Sequence, residues 1–241
     1  RRINEFFELP VLDNNEELQA EKTFDSKNDT PYVQFNDVTF GYEADHTVIA
    51  DKTFVVNRGE QVTLSGRTGA GKSTIFKLLL GLYKPQKGSI LINDMNSAAI
   101  PDNRKRKIFG YVEQSFHMVP GTVKEQITLY DDAITMEQVI KAAKLTGLHD
   151  TIMNLEHGYD TICTPELFSQ GQWQLLSIAR AAAAEPKLLL LDEITANLDA
   201  DTERAVLQAL KRVSENRTVI SISHRVMAET GRIIRLDTAE C

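Results

Sequence analysis

Leu167 to Ala181 reads LFSQGQWQLLSIARA, Leu188 to Glu193 reads LLLLDE, and Ile194 to Ala200 reads ITANLDA. Leu175, Leu176, Ile178, Ala179 and Ala182 recur at three- and four-residue spacing with no glycine or proline among them, so Gln172 to Ala184 reads as a half-buried helix. Ser169 is placed to cap it. The Ser169-Gln170-Gly171 turn then sits at a helix start, where backbone N–H groups and the positive end of the dipole suit an anion. Pro186 ends the helical run. Leu188 to Leu191 is apolar without interruption, the pattern of a strand covered on both faces of a parallel sheet. That strand delivers Asp192 and Glu193 at its carboxyl end, where open α/β sheets hold their ligands.

A second segment has the same logic. Gln61 to Leu64 reads as a short strand, Gly66 to Thr74 as GRTGAGKST, and Ile75 to Leu82 as a helix. This is a phosphate-binding P-loop between its required strand and helix. Gly66, Gly69 and Gly71 let the chain through Arg67, Thr68 and Ala70 wrap its N–H groups around phosphate oxygens. Lys72 brings a point charge to the terminal phosphates, Ser73 offers a hydroxyl to Mg2+, and Thr74 follows as the helix begins.

Composition narrows the function classes. With 241 residues, 42% of them hydrophobic, the chain can build one large domain or two small lobes. The formal charge is -7, and no basic stripe with interleaved aromatics is present, so nucleic acid is not an expected partner. Cys163 and Cys241 form neither a metal motif nor a disulfide framework, as in a reducing compartment. No apolar run approaches the roughly twenty residues of a membrane span, and the first residues are not a signal peptide, so the chain is expected to be soluble.

The chain opens on Arg1 rather than Met, as a piece of a longer polypeptide would. Arg1 to Leu9 sets Ile3, Phe6 and Phe7 on one helical face, and residues 13–31 are polar enough for a solvated linker. Tyr32 to Phe40 alternates as an antiparallel strand does, and Lys52 to Val56 and Ser89 to Ile92 read as further strands. Ile108 to Gln114 reads as a buried strand ending in a polar residue. Helical patterns follow. Thr135 and Gln138 have capping-box spacing, with Val139, Ile140, Ala143 and Leu148 as an apolar face, which places a helical lobe at about 115–181. Thr218 to Ser223 is another buried strand, with His224 at its end.

In this order the motifs resemble those of an ATP-binding-cassette (ABC) nucleotide-binding domain of the exporter type, over about Val33 to Leu236. FSQGQ is similar to the signature, LLLLDE to the Walker B strand, ANLD to the D-loop, and IFGYVEQ to the Q-loop. The resemblance implies an α/β fold: a P-loop NTPase core with a mostly parallel sheet, an antiparallel β subdomain and an inserted helical subdomain. Residues 1–31 would then link a preceding membrane domain to an ATPase domain at 32–241, whose α/β core takes about 32–114 and 182–241.

The resemblance also implies roles. Tyr42 would stack on adenine. Asp192 would lie on the Mg2+ side, Gln114 would offer a carbonyl oxygen to Mg2+ or the attacking water, and Glu193 would be the general base. His224 would hydrogen-bond the γ-phosphate. Two such domains, in a homo- or heterodimer, would pair head to tail. Ser169, Gln170, Gly171 and Gln172 of one would meet the ATP of the other, with Asp199 crossing the interface. A transmembrane domain is the further partner, the location the cytoplasmic face of the membrane, and ATP with Mg2+ the ligands.

Departures from the pattern are specific. The usual LSGGQ reads Phe168 to Gln172 as FSQGQ, and Thr161 to Leu167 lacks the glycine-containing acidic stretch common in exporters. These would fit one half of a heterodimer with unequal sites, or a divergent homodimer. A soluble ABC ATPase of DNA repair or translation is the alternative enzyme, although no long coiled-coil insertion is present. A nucleotide-gated interaction module is the third reading, opposed by the presence of Glu193 and His224.

Overall fold

A computed structural model describes residues 31–43, 46–113, 115–192, 198–222 and 231–236. In chain order the elements are β1 (Pro31–Phe40), β2 (Ile49–Asn57), β3 (Gln61–Ser65), α1 (Lys72–Leu79), β4 (Lys87–Ile92), β5 (Met95–Asn96), α2 (Asp102–Ile108) and β6 (Phe109–Val112). There follow α3 (Val123–Thr128), α4 (Met136–Thr146), α5 (His149–Met153), α6 (Gln170–Ala182), β7 (Leu188–Asp192), α7 (Ala200–Ser214), β8 (Thr218–Ile222) and β9 (Arg232–Arg235).

Two sheets organise them. The first is antiparallel, in the order β2-β1-β4-β5, with Phe35 opposite Phe54 on one side and Ile90 on the other. The second, in the order β6-β7-β8-β3-β9, is parallel in every described pairing. Strand β7 shows why its sequence is apolar throughout. Leu188 and Leu190 enter a core shared with β1, β4 and α1, while Leu189 and Leu191 enter a second core shared with α3, α4, α6 and α7. Both faces are covered, so no position alternates to polar.

Helix ends follow local chemistry. Thr122, Thr135 and Ser169 each open a helix with a complete capping box, closed by Glu125, Gln138 and Gln172 respectively. Helix α4 ends on Gly147 at φ 81°, the left-handed conformation that suits glycine there.

Several boundaries differ from the sequence reading. Ile108 is the last residue of α2 rather than the first of a strand, and β6 begins at Phe109. Helix α2 buries none of its residues, so DNRKRKI carries no apolar period from which to read a helix. The P-loop helix starts earlier and stops earlier than Ile75 to Leu82, because Lys72 to Thr74 already form its first turn. Helix α6 covers Gln170–Ala182 rather than Gln172 to Ala184. It stops short of Pro186, and Glu185, which precedes the proline, adopts φ 52°. Eight of its 13 residues are buried, more than one face of a surface helix would be, because it lies between α3, α4, α7 and β6.

Candidate functional site

All strands of the parallel sheet end on one edge, and the chemistry-bearing loops leave from there. Strand β3 ends at Ser65, and the chain turns through Gly66 to Gly71 into α1. The loop is pinned where it leaves the sheet by Leu236 N–H donating to Ser65 O at 2.7 Å, and within itself by Ala70 N–H donating to Arg67 O at 3.1 Å. Gly71 caps the helix at φ 83°, and a Cβ there would stand 2.4 Å from Ile49 Cδ1. Glycine is therefore required twice, by conformation and by space.

Lys72 Nζ donates to the backbone oxygens of Gly66 at 2.8 Å and Arg67 at 3.0 Å. Its ammonium is thus held over the loop rather than extended into solvent. Arg67, Thr68, Gly69 and Ser73 are exposed, whereas Ala70 and Thr74 are buried and fasten loop and helix to the core.

Tyr42 stands beside this helix and is 46% exposed. Its hydroxyl lies 3.2 Å from Thr74 Oγ1 and accepts from Lys77 Nζ at 3.3 Å. Phe40 and Tyr83 meet its ring nearly perpendicularly, at centroid distances of 5.1 and 5.3 Å. An exposed ring fixed in this way is a platform on which a planar base can stack.

Asp192 ends β7 on the same edge. Tyr111 of β6 donates its hydroxyl to Asp192 Oδ2 at 3.2 Å, and burial, joined by the charges of Asp192 and Glu113, pushes the Tyr111 phenol up. Tyr111 therefore stays a hydrogen-bond donor toward Asp192. Sequence reasoning missed Tyr111, because nothing along the chain links it to a residue so far away. The expected catalytic residues Gln114, Glu193 and His224 lie outside the described residues. Strands β6, β7 and β8 end one or two positions before them, at Val112, Asp192 and Ile222.

The segment from Ser169 to Gln172 opens α6. Gln172 N–H donates to Ser169 Oγ at 3.3 Å, and Ser169 N–H donates to Gln172 Oε1 at 2.9 Å, so two of the N–H groups expected to face outward are engaged within the chain. Gln170 is exposed and Gly171 is buried. Asp199 caps α7, its Oδ1 accepting from the N–H groups of Thr202 at 3.0 Å and Asp201 at 3.2 Å; the Thr202 hydroxyl first, and then these N–H groups, hold its carboxyl below the usual range.

Behind this lies a ladder absent from the sequence reading. Trp173 stacks on Phe116 at 4.8 Å, Phe168 meets Trp173 edge-on at 5.0 Å, and the Arg180 guanidinium covers the other ring, Phe116, at 4.1 Å. Arg180 also donates to the backbone oxygens of Gln126 and His117, at 2.6 and 2.8 Å. Burial, with Arg106 nearby, lowers its pKa to about 10. The only tryptophan of the chain was the available signal.

Strand β3, the glycine loop and α1 define a P-loop α/β domain. A sequence profile of ABC transporters matches residues 49–196, more than half of the chain. The putative ABC transporter ATP-binding protein exp8 of Streptococcus pneumoniae is 36% identical over 220 residues, which cover 86% of this chain and 38% of that protein. The alpha-hemolysin translocation ATP-binding protein HlyB of Escherichia coli O157:H7 is 38% identical over 211 residues, covering 85% of this chain and 30% of that protein. A bacterial Atm1-family ABC exporter solved with ATP bound superposes with a TM-score of 0.75 at 35% identity, covering 87% of this chain and 38% of that one. The chain belongs to the ABC transporter family. It spans well under half the length of the curated relatives it matches.

Proposed function

We propose that the chain is the ATP-binding and ATP-hydrolysing part of an exporter, driven by nucleotide-dependent pairing with a second such domain. The P-loop with Lys72 carries the reading, and relatives named as translocation ATP-binding proteins support the exporter direction. In this reading Tyr42 takes the adenine ring, while the N–H groups of Gly66 to Gly71 with Lys72, Ser73 and Thr74 take the phosphates. Ser73 and Asp192, with the Gln114 carbonyl, make a set of hard oxygen donors of the kind Mg2+ takes. When bound, Mg2+ would offset phosphate charge.

Glu193 follows Asp192 directly and is the group we assign to take a proton from the attacking water, with His224 hydrogen-bonding the γ-phosphate. Ser169 to Gln172 and Asp199 face a partner domain set head to tail, in a homo- or heterodimer. A transmembrane domain docks on the helices between 115 and 181, and residues 1–31 lead in from it, which puts the assembly at the cytoplasmic face of a membrane. Among the described residues, no helix is long and apolar enough to cross a membrane.

Glu193→Gln tests the assignment. It is expected to bind ATP with unchanged affinity, lose turnover by at least about a hundredfold, and accumulate an ATP-bound dimer. Turnover equal to that of the parent would remove Glu193 as the base.

A further inference from the structure

Gly171 is buried against α7. A Cβ built at that position would lie 2.2 Å from Thr202 Cγ2 and 3.4 Å from both Thr202 Cβ and Oγ1. The methyl of Thr202 thus occupies the volume that any side chain at 171 would need. Thr202 is the third residue of α7, and its own N–H donates to Asp199 Oδ1 at 3.0 Å. One residue therefore touches both segments expected to face a partner: its backbone N–H and hydroxyl the Asp199 cap, its methyl the turn that starts at Ser169. Thr202 is β-branched and its hydroxyl is engaged by Asp199, so the methyl does not swing aside freely.

We propose that Thr202 is a positioning residue for the Ser169 to Gln172 turn. Its methyl seats the start of α6 on the Asp199-capped start of α7, so that both segments are presented to a partner as one rigid unit. This rests on the reading above that Ser169 to Gln172 meets the partner's ATP. It assigns Gly171 a reason within its own chain: a side chain at 171 would push α6 off α7 and shift Ser169. If Gly171 were needed only so that a phosphate could come close, changes at Thr202 would not matter.

The test is suppression, measured on the full chain in the Glu193→Gln background by ATP-driven dimerisation in sedimentation. ATP binding to the monomer is followed in parallel with a fluorescent analogue. Gly171→Ala is expected to weaken dimerisation about tenfold or more while the monomer's ATP affinity stays within about twofold, since the damage is at the partner-facing turn. Adding Thr202→Ala leaves a Cβ contact near 3.4 Å, and is expected to bring dimerisation back to within about threefold of the background.

A double variant that dimerises no better than Gly171→Ala alone, or a Gly171→Ala chain that dimerises like its background, overturns the inference by itself. If the Glu193→Gln chain does not dimerise with ATP at all, the interface reading fails and takes this inference with it. Should Gly171→Ala not fold, Thr202→Ser and Thr202→Val in the Gly171 chain decide. The serine variant, which keeps the hydroxyl beside Asp199 and loses the methyl, is expected to weaken dimerisation several-fold, and the valine variant, which loses the hydroxyl and keeps the methyl, to preserve it. Equal dimerisation by the two overturns the inference.

Discussion

Ser169→Ala separates two jobs that one side chain is assigned. Within the chain, Ser169 Oγ accepts from Gln172 N–H at 3.3 Å as the cap of α6, while the reciprocal bond from Ser169 N–H to Gln172 Oε1 uses the backbone and survives the substitution. Alanine therefore removes one of the two bonds of the box and leaves one orphan donor. Such a loss costs about 1 kcal/mol. In a chain of this size about 1 kcal/mol lowers Tm by about 2–4 °C.

Calorimetry of the parent, Ser169→Ala and Ser169→Asn chains measures it. Asparagine is as good an N-cap as serine, so Ser169→Asn is expected to melt within about 1 °C of the parent. Its longer side chain stands where a partner's phosphate is to be met, so ATP-driven dimerisation is expected to fall in both variants. A Ser169→Ala chain that melts with the parent would show that the cap contributes nothing. A Ser169→Asn chain that melts as low as Ser169→Ala would show that the loss was not a capping loss.

Other sites give independent checks. Tyr42→Ala removes the exposed ring anchored by Thr74 and Lys77. It is expected to cost about 1–3 kcal/mol of ATP affinity, read by titration, with tripolyphosphate binding unchanged. Gly71→Ala would meet Ile49 Cδ1 at 2.4 Å from a backbone at φ 83°, so it is expected to lower stability by about 1–3 kcal/mol in denaturant unfolding and to abolish ATP binding. Burial pushes the Cys163 thiol from 9.0 up to about 11. In a Cys241→Ser chain at pH 8 its thiolate should be depleted about a hundredfold, and alkylation in the native state slowed at least that much relative to denaturant. Because its folded pKa is the raised one, its contribution to stability is full below pH 9.0 and is lost as pH rises toward about 11.

The parts of this fold that could be read from the chain were those in which one local rule decides. Leu188 to Leu191 had to be a strand covered on both faces, and the cores on its two sides show why. Thr135 with Gln138, and Ser169 with its helix, announced their caps through short-range chemistry. Helix α2 was invisible because it buries none of its residues, so no apolar period marked it. Tyr111 and Thr202 were invisible for another reason. Each acts through a neighbour distant in sequence, Asp192 for one and Gly171 for the other, and such pairs exist only once the sheet and the α6 to α7 packing are formed. Trp173 stood out in composition, yet its stacking partner Phe116 could not be inferred from spacing. Gln114, Glu193 and His224 stand just after buried strands, but their roles came from the resemblance to the family's motifs rather than from the strand pattern.

A head-to-tail site built from Lys72 of one chain and Ser169 of another is tested most directly by mixing two inactive variants. Lys72→Ala destroys the phosphate side and Ser169→Arg the partner-facing side, so neither chain alone should hydrolyse ATP above background. In a one-to-one mixture, half of the pairs join unlike chains, and each such pair carries one intact composite site. Mg-dependent ATPase activity is therefore expected to recover to about a quarter of the parental rate. A mixture as inactive as its components would contradict the composite site, and full activity of either variant alone would contradict it as well.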